Sequence, residues 1–186
     1  GIGIGSSAAG YLSSGKVELG LVVIGSILMI IISFFLSLPN LSSVKVVSLM
    51  FLIGFGAGLF DVPLMSMLQR QSPKSVRGGL IATNNLITFG GMTFSSGIFM
   101  LLFSILHCPP RYIFLTTGIT SILVLIIMVR MERTMILRAF LWLLDSTLYR
   151  VYVTNRSNIP EQKGALIVSN HVSFVDILVL LYAIDR

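Results

Sequence analysis

The sequence predicts a mainly α-helical, polytopic membrane protein whose C-terminal end begins an α/β domain. Hydrophobic residues make up 55% of the 186 residues and charged residues only 11%, against roughly a quarter in typical soluble domains. Long stretches without a charge recur along residues 1–130, and short β-branched runs separated by turn residues follow residue 150. The first two observations predict membrane-spanning helices, and the third predicts the start of a mixed domain.

Residues 1–130 predict one partial and four complete membrane spans. Residues 1–12 are typical of the last turns of a span, because glycines recur among apolar residues and no charge interrupts them. A helix that crosses a hydrocarbon core of ~30 Å needs about 20 mainly apolar residues. The stretches that meet this requirement are 19–38, 44–67, 80–106 and 112–129. Because the chain opens inside a partial span, we expect the sequence to be a piece of a longer protein.

Lysine and arginine residues predict how the spans are oriented. Seven lie on one side of the spans and two on the other, which places the larger set in the cytoplasm. The larger set is Lys16, Arg70, Lys74, Arg77, Arg130, Arg133 and Arg138, and the smaller set is Lys45 and Arg111. The tail after residue 130 is therefore expected to be cytoplasmic. The net charge of +6 reflects this topology, so we expect a phospholipid membrane as the partner and no nucleic acid.

Three polar residues inside the spans are candidates for a transport path: Asp61, Asn84 and Asn85. Asp61 is the sole carboxylate within a span, and acids inside a membrane usually face a cavity or a partner. The alternative is that Asp61 lies within about two helical turns of the cytoplasmic boundary and reaches water there. Asn84 and Asn85 either line a cavity or form hydrogen bonds between helices, and the sequence leaves both interpretations open.

The cysteine and histidine content argues against a metal site. Cys108 is the only cysteine in the chain, and His107 beside it is one of two histidines. A single Cys–His pair provides too few ligands for a zinc site, and one cysteine cannot form a disulfide within the chain. We therefore expect no metal ion and no bound cofactor.

Residues 131–150 predict a helix that links the membrane part to the C-terminal domain. Its apolar residues recur at helical spacing, at Leu137, Phe140, Leu141, Leu144 and Leu148. Charged residues interrupt it too often for a membrane crossing, and the amphipathic rings of Trp142 and Tyr149 suit headgroup depth. An interfacial helix on the cytoplasmic leaflet explains this pattern. The first helix of a soluble domain explains it as well, and both can hold at once.

Residues 151–186 predict the layout strand, loop, strand, tight loop and helix. Residues 151–153 and the β-branched run 165–169 are the strand candidates, and the loop between them contains Pro160. The helix is expected to begin at Ser173 and to run past residue 183. This order of elements is typical of an α/β domain.

The tight loop holds His171, five residues before Asp176. A neutral imidazole is an effective general base near pH 7, and a carboxylate bonded to its other ring nitrogen selects the tautomer. Five residues of continuous helix turn ~500°, so the pair requires His171 in the loop and Asp176 in the first helical turn. A second interpretation uses the same residues: Ser173 caps the helix, and Asp176 stabilises the positive end of the helix dipole.

The residues around this pair form a longer motif, Val153-x-Asn155-x-x-Asn158-Ile159-Pro160, then Gly164 to Ser169, then Asn170-His171-x-Ser173-x-x-Asp176. Over roughly residues 137–186 the chain resembles the opening of the glycerophospholipid acyltransferase family, which includes the lysophosphatidic acid acyltransferases. The resemblance implies that His171 deprotonates a glycerol hydroxyl and that Asp176 orients His171. Asn170 and Ser173 would be the local scaffold.

The acyltransferase resemblance also implies the reactants. The acyl donor would be acyl-CoA or acyl-carrier protein, and the acceptor would be a lysophospholipid or lysophosphatidic acid. One departure is Asn155, where many relatives have glycine; asparagine tolerates the same left-handed backbone. The family's arginine-bearing and phosphate-binding motifs would lie beyond Arg186, so we expect this segment alone to be inactive.

Two stretches in the membrane part carry a second resemblance. They are Gly10-Tyr11-Leu12-Ser13-Ser14-Gly15-Lys16 with its continuation to Gly20, and Val62-Pro63-Leu64 with Gln69, Pro73 and Arg77-Gly78. The first resembles the loop signature of the major facilitator superfamily, without the acid and base that usually stand at Ser13 and Ser14. Both resemble the lysophospholipid transporter branch more closely. In bacteria that branch occurs fused ahead of the same acyltransferase domain.

Together, the two resemblances imply a multi-pass protein of the bacterial inner membrane. Residues 1–130 would be the C-terminal transmembrane half of a facilitator-type lysophospholipid transporter, residues 131–150 an interfacial linker, and residues 151–186 the start of the acyltransferase domain. Two alternatives remain open. The spans would only anchor an acyltransferase, or the protein would be a solute carrier with a non-catalytic tail.

Overall fold

The structure, a computed structural model, describes residues 1–13, 17–148, 166, 168–170 and 176–184. These residues form seven α-helices and one π-helical segment. The elements are α1 (Ile2–Ser13), α2 (Leu19–Leu36), α3 (Ser43–Gln71), α4 (Arg77–Met100) with the π-helical segment Leu101–Ile105, α5 (Pro110–Met131), α6 (Met135–Thr147) and α7 (Asp176–Ile184). The described chain is therefore mainly α.

Four of the helices are long and apolar enough to cross a membrane: α2, α3, α4 with its π-helical segment, and α5. The four complete spans that the sequence predicts are confirmed in this sense. The partial first span corresponds to α1, which has 12 residues. α3 has 29 residues, about 43 Å at 1.5 Å per residue, and is therefore longer than a ~30 Å hydrocarbon core.

The turn between α3 and α4 is closed by Ser72 and Arg77. The Ser72 backbone N–H donates to the Leu68 carbonyl oxygen at 3.2 Å, and the Ser72 hydroxyl donates to the same oxygen. Pro73 follows and cannot continue the helix. Arg77 Nη2 then donates to the Ser72 carbonyl oxygen at 3.1 Å. The predicted polar loop at 68–79 is shorter than expected, because α3 and α4 extend into it from both ends.

α2 is the centre of the helical bundle. It packs against α3, α5 and α6, while α1 packs against α3. A β-carbon at Gly25 of α2 would lie 2.7 Å from the Gly56 carbonyl oxygen and 2.8 Å from the Phe60 backbone nitrogen of α3. The two backbones therefore touch at a point where only glycine fits, the close packing that small residues allow in membranes.

One end of the bundle combines a buried apolar cluster with six of the eight basic residues in the described part of the chain. Leu19 and Val22 of α2 are buried together with Met135 of α6, and Met67 of α3 and Met128 of α5 pack against them. The basic residues at this end are Arg70, Lys74, Arg77, Arg130, Arg133 and Arg138. We call it the basic end. The start of α2, the ends of α3 and α5, and α6 all meet there.

α4 packs less closely than the other spans. None of its 24 residues, all of them described, is buried. It contacts α3 and its own π-helical segment. A β-carbon at any of its glycines, Gly78, Gly79, Gly90, Gly91 or Gly97, would meet nothing within 4 Å.

The predicted linker helix is present as α6, with two different faces. Met135 and Leu141 are buried, and Trp142 packs against the buried cluster around Leu21. Phe140 and Leu148, from the predicted apolar face, are 49% and 72% exposed. Trp142 therefore faces the protein. The backbone of α6 lies very close to Gly20 of α2, and this contact holds α6 against the bundle.

The predicted α/β layout is not found in the described part of the C-terminal segment. Leu166, Val168 and Ser169 lie in irregular backbone, so the strand predicted at 165–169 is wrong at these residues. A strand needs a neighbouring strand for its backbone hydrogen bonds, and the described residues contain none. The strand predicted at 151–153 lies outside the described residues. The helix that follows is confirmed as α7.

Candidate functional site

Two of the four predicted residues of the C-terminal site are described. Asn170 is exposed in irregular backbone, and Asp176 is the half-buried first residue of α7. His171 and Ser173 lie outside the described residues, so the His–Asp pair and the serine cap stay predictions. The first helical turn is the position that both interpretations of Asp176 require. A carboxylate there also interacts favourably with the helix dipole.

α7 is connected to the membrane bundle through α6. α7 packs against α6, and α6 packs against α2 at the basic end. The contact between α6 and α2 is very close at Gly20, because a β-carbon added to Gly20 would lie 2.8 Å from the Ala139 α-carbon. The helix that begins with Asp176 is thus held at the end of the bundle where positive charge collects. Positive charge at a membrane surface attracts anionic headgroups.

A short polar chain closes the junction between α5 and α6. The Thr134 hydroxyl donates to Glu132 Oε1 at 2.5 Å, and Arg138 Nε donates to Thr134 Oγ1 at 3.2 Å. The hydrogen bond from the Thr134 side chain is the main cause that lowers the pKa of Glu132 below its usual value. Burial is the next largest effect and acts in the opposite direction, while the Thr134 backbone N–H and the charge of Arg138 lower the pKa further.

The three candidate transport-path residues have different surroundings. Asp61 is exposed in the interior of α3, and Asn85 is exposed on α4. Asn84 is half-buried, and its Nδ2 lies 3.8 Å from Met65 Sδ of α3. This contact joins two helices, as the hydrogen-bonding interpretation of Asn84 requires. A role for the three residues in transport stays a prediction.

The structure also contains a cleft of about 570 Å³ that the sequence analysis did not identify. It lies between α2, α3, the C-terminal half of α4 and the N-terminal half of α5. Hydroxyl side chains line it, at Ser26, Ser95, Thr116, Thr117, Thr120 and Ser121. The sequence signal for this lining is the pattern Thr-Thr-x-x-Thr-Ser on α5, which places four hydroxyls on one helical face. Asp61, Asn84 and Asn85 are not among its lining residues.

The comparisons with known proteins find one similarity. Residues 150–186 match the Acyltransferase family. No curated protein and no solved structure matches the chain. The family match covers the C-terminal motif and α7, and it does not extend to the helices α1 to α6. It therefore confirms similarity to acyltransferases for the last part of a multi-pass membrane chain.

Proposed function

We propose that the protein is a bacterial inner-membrane fusion of a facilitator-type lysophospholipid carrier with a cytoplasmic acyltransferase. The acyltransferase transfers an acyl chain from acyl-CoA or acyl-carrier protein to the free hydroxyl of a lysophospholipid or lysophosphatidic acid. The observation that carries this proposal is the acyltransferase match of residues 150–186, which follows four helices able to cross a membrane.

In the proposed reaction His171 is the general base. It takes the proton of the glycerol hydroxyl, and the oxygen attacks the thioester carbonyl carbon. A new oxygen–carbon ester bond forms, the carbon–sulfur bond breaks, and the thiolate leaves and takes up the proton from the imidazolium. Asp176 holds the imidazole in the productive tautomer and stabilises its charged form. The position of Asp176 in the first turn of α7 supports this role.

The membrane location suits these reactants. The one-chain acceptor and the two-chain product both stay in the bilayer, so an enzyme tethered to the leaflet meets them at a high effective concentration. Contact of α7 with α6, and of α6 with α2, supports such a tether. The basic end supports a cytoplasmic orientation, because cytoplasmic loops carry the excess of lysine and arginine.

The carrier part of the proposal rests on the membrane helices and on the resemblance to lysophospholipid transporters. Asp61, Asn84 and Asn85 are proposed to contribute to the path of the lipid. In this arrangement the carrier delivers lysophospholipid to the inner leaflet, and the acyltransferase restores the second chain. The alternative is that the spans only anchor the enzyme, and the following experiment distinguishes a carrier from an anchor.

The test uses the full-length protein in vesicles that contain labelled lysophospholipid. With acyl donor supplied, wild-type protein should move the label across the bilayer and acylate it. His171→Ala should abolish acylation and leave movement unchanged. The matched control is His107→Ala, which removes the chain's other histidine at the turn between α4 and α5. Its two activities should equal those of the wild type.

Two results would count against this proposal in different ways. Acylation at the wild-type rate in His171→Ala would show that His171 is not the general base. Acylation without movement of label in the wild type would show that the spans only anchor the enzyme.

A further inference from the structure

The cleft between α4 and α5 has the size of a small-molecule site. Its volume of about 570 Å³ falls within the ~300–1,000 Å³ of ligand pockets. Residues of four helices line it, and Ser26 of α2 and Phe60 of α3 are among them. Leu102 belongs to the π-helical segment, and such segments are frequent at functional sites.

The hydroxyls that line the cleft present hydrogen-bond acceptors. On α5, Thr117 Oγ1 donates to the Ile113 carbonyl oxygen at 2.8 Å, and Thr120 Oγ1 donates to the Thr116 carbonyl oxygen at 2.9 Å. Ser121 makes the same kind of bond within its own helix. A hydroxyl has one donor and two lone pairs. Because the donors are used inside the helix, the oxygens remain available to a ligand that donates.

The remaining walls are apolar and uncharged. The other lining residues are aromatic and aliphatic side chains of α2, α3, α4, the π-helical segment and α5: Met29, Phe60, Phe94, Ile98, Phe99, Leu102, Ile113 and Val124. Among the described residues that line the cleft, none is charged. A charged group without a counter-ion is strongly disfavoured in such surroundings. The cleft therefore suits an apolar chain that carries a neutral hydroxyl donor.

We propose that this cleft binds a single-chain phospholipid. Its acyl chain lies against the apolar wall, its free glycerol hydroxyl donates to Thr117 or Thr120, and its charged headgroup stays outside the cleft. This rests on the proposed function in one respect, the choice of lysophospholipid as cargo. The hydroxyl gives the site its selectivity: a diacyl phospholipid has no free hydroxyl on its glycerol backbone, so it cannot make this bond.

The test measures binding of a lysophosphatidylethanolamine that carries a photoreactive group in its acyl chain. The full-length protein is reconstituted in vesicles of diacyl phospholipid. Thr117→Val and Thr120→Val keep the shape of the side chain and remove the hydroxyl. The double variant should bind the probe about 3- to 10-fold more weakly, the effect of one lost hydrogen bond. Cross-links in the wild type should fall on Phe94, Ile98 or Phe99.

The matched control is Thr93→Val on α4. Its hydroxyl makes the same bond within its helix, to the Phe89 carbonyl oxygen at 2.9 Å, but it does not line the cleft. This variant should bind the probe with the wild-type affinity. A second probe that lacks only the glycerol hydroxyl should bind the wild type as weakly as the first probe binds the double variant. Combining both changes should cause no further loss, because they remove the same bond.

The outcomes separate the cleft from the transport activity. Equal affinity of the Thr117→Val/Thr120→Val protein and Thr93→Val, or cross-links confined to residues outside the cleft, would overturn the site. If lipid movement nevertheless continued, the proposed function would stand without it. Hydroxyl-dependent binding in a wild-type protein that moves no lipid would support the site and remove the carrier activity.

Discussion

Gly20→Ala should loosen the contact between α6 and α2. The added β-carbon would lie 2.8 Å from the Ala139 α-carbon and 3.0 Å from the Arg138 carbonyl oxygen, whereas ordinary contact begins at 3.4 Å. The two backbones must therefore move apart by about 0.6 Å, the difference between 3.4 and 2.8 Å. Overpacking of this kind costs about 1–3 kcal/mol.

The matched control for this substitution is Gly90→Ala. A β-carbon at Gly90 meets nothing within 4 Å, so the control gains only the better helix propensity of alanine, about 1 kcal/mol. Gly20 is the second residue of α2, so Gly20→Ala gains no more helix propensity than this control, which lies in a helix interior. The free energy that holds α6 on α2 should therefore be about 1–3 kcal/mol smaller in Gly20→Ala than in Gly90→Ala.

Trp142 reports on this contact directly. It is the only tryptophan in the chain, and it packs against the buried cluster around Leu21. In Gly20→Ala its emission maximum should shift and its quenching by acrylamide should rise, while Gly90→Ala should match the wild type. If both variants kept the wild-type emission and quenching, the close contact between α2 and α6 would not exist as described.

Two further predictions concern the packing of α2 and the junction before α6. Gly25→Ala should lower the free energy of unfolding by about 1–3 kcal/mol relative to Gly90→Ala, because its β-carbon would meet the backbone of α3; equal thermal unfolding of the two would contradict this. The folded pKa of Glu132 lies below its ordinary value of 4.5, so its stabilising contribution is complete above that value and is lost as the pH falls through the lower folded value. Thr134→Val removes the main cause of the shift, so the free energy of unfolding should fall less than in the wild type as the pH drops below 4.5; an equal fall in both proteins would refute the assignment.

The membrane helices were predictable because they depend on local composition. The absence of charge between Glu18 and Lys45 is sufficient to predict α2, whereas α5 begins at Pro110, two residues before the predicted span 112–129. The ends were less predictable. α3 continues past the predicted Met67 to Gln71, because polar residues at the end of a span can extend a helix into water.

Contacts between distant helices were not predictable from periodicity. The spacing of Phe140 and Leu148 indicates an apolar face, but both lipid and protein are apolar surroundings, so the pattern does not tell which of them covers it. The approach of Gly20 to Ala139 joins residues far apart in the sequence. The hydroxyl spacing on α5 was visible in the sequence, whereas the cleft requires α4 to lie opposite it.

The same reasoning applies to the C-terminal site. Its motif is local, so the sequence was sufficient to indicate a resemblance to acyltransferases, and the family match of residues 150–186 confirms that similarity. Asp176 lies on α7, and its pairing with His171 stays a prediction because His171 lies outside the described residues. The strand predicted at 165–169 was wrong at its described residues, because a strand depends on a partner that a local pattern cannot provide.

The two faces of α6 have different roles in the proposed reaction. Met135 packs into the buried cluster at the basic end, while Phe140 and Leu143 are each 49% exposed on another side of the helix. A leaflet surface against these exposed residues would keep α7, which contacts α6, beside the lipid headgroups. Since the proposed lysophospholipid acceptor would also stay in that leaflet, its local concentration would depend on this contact. Loosening α6 by Gly20→Ala should therefore slow acylation of a long-chain acceptor in vesicles more than acylation of a short-chain acceptor dissolved in water. Equal slowing of both would show that α6 supports the acyltransferase fold but does not present it to the membrane.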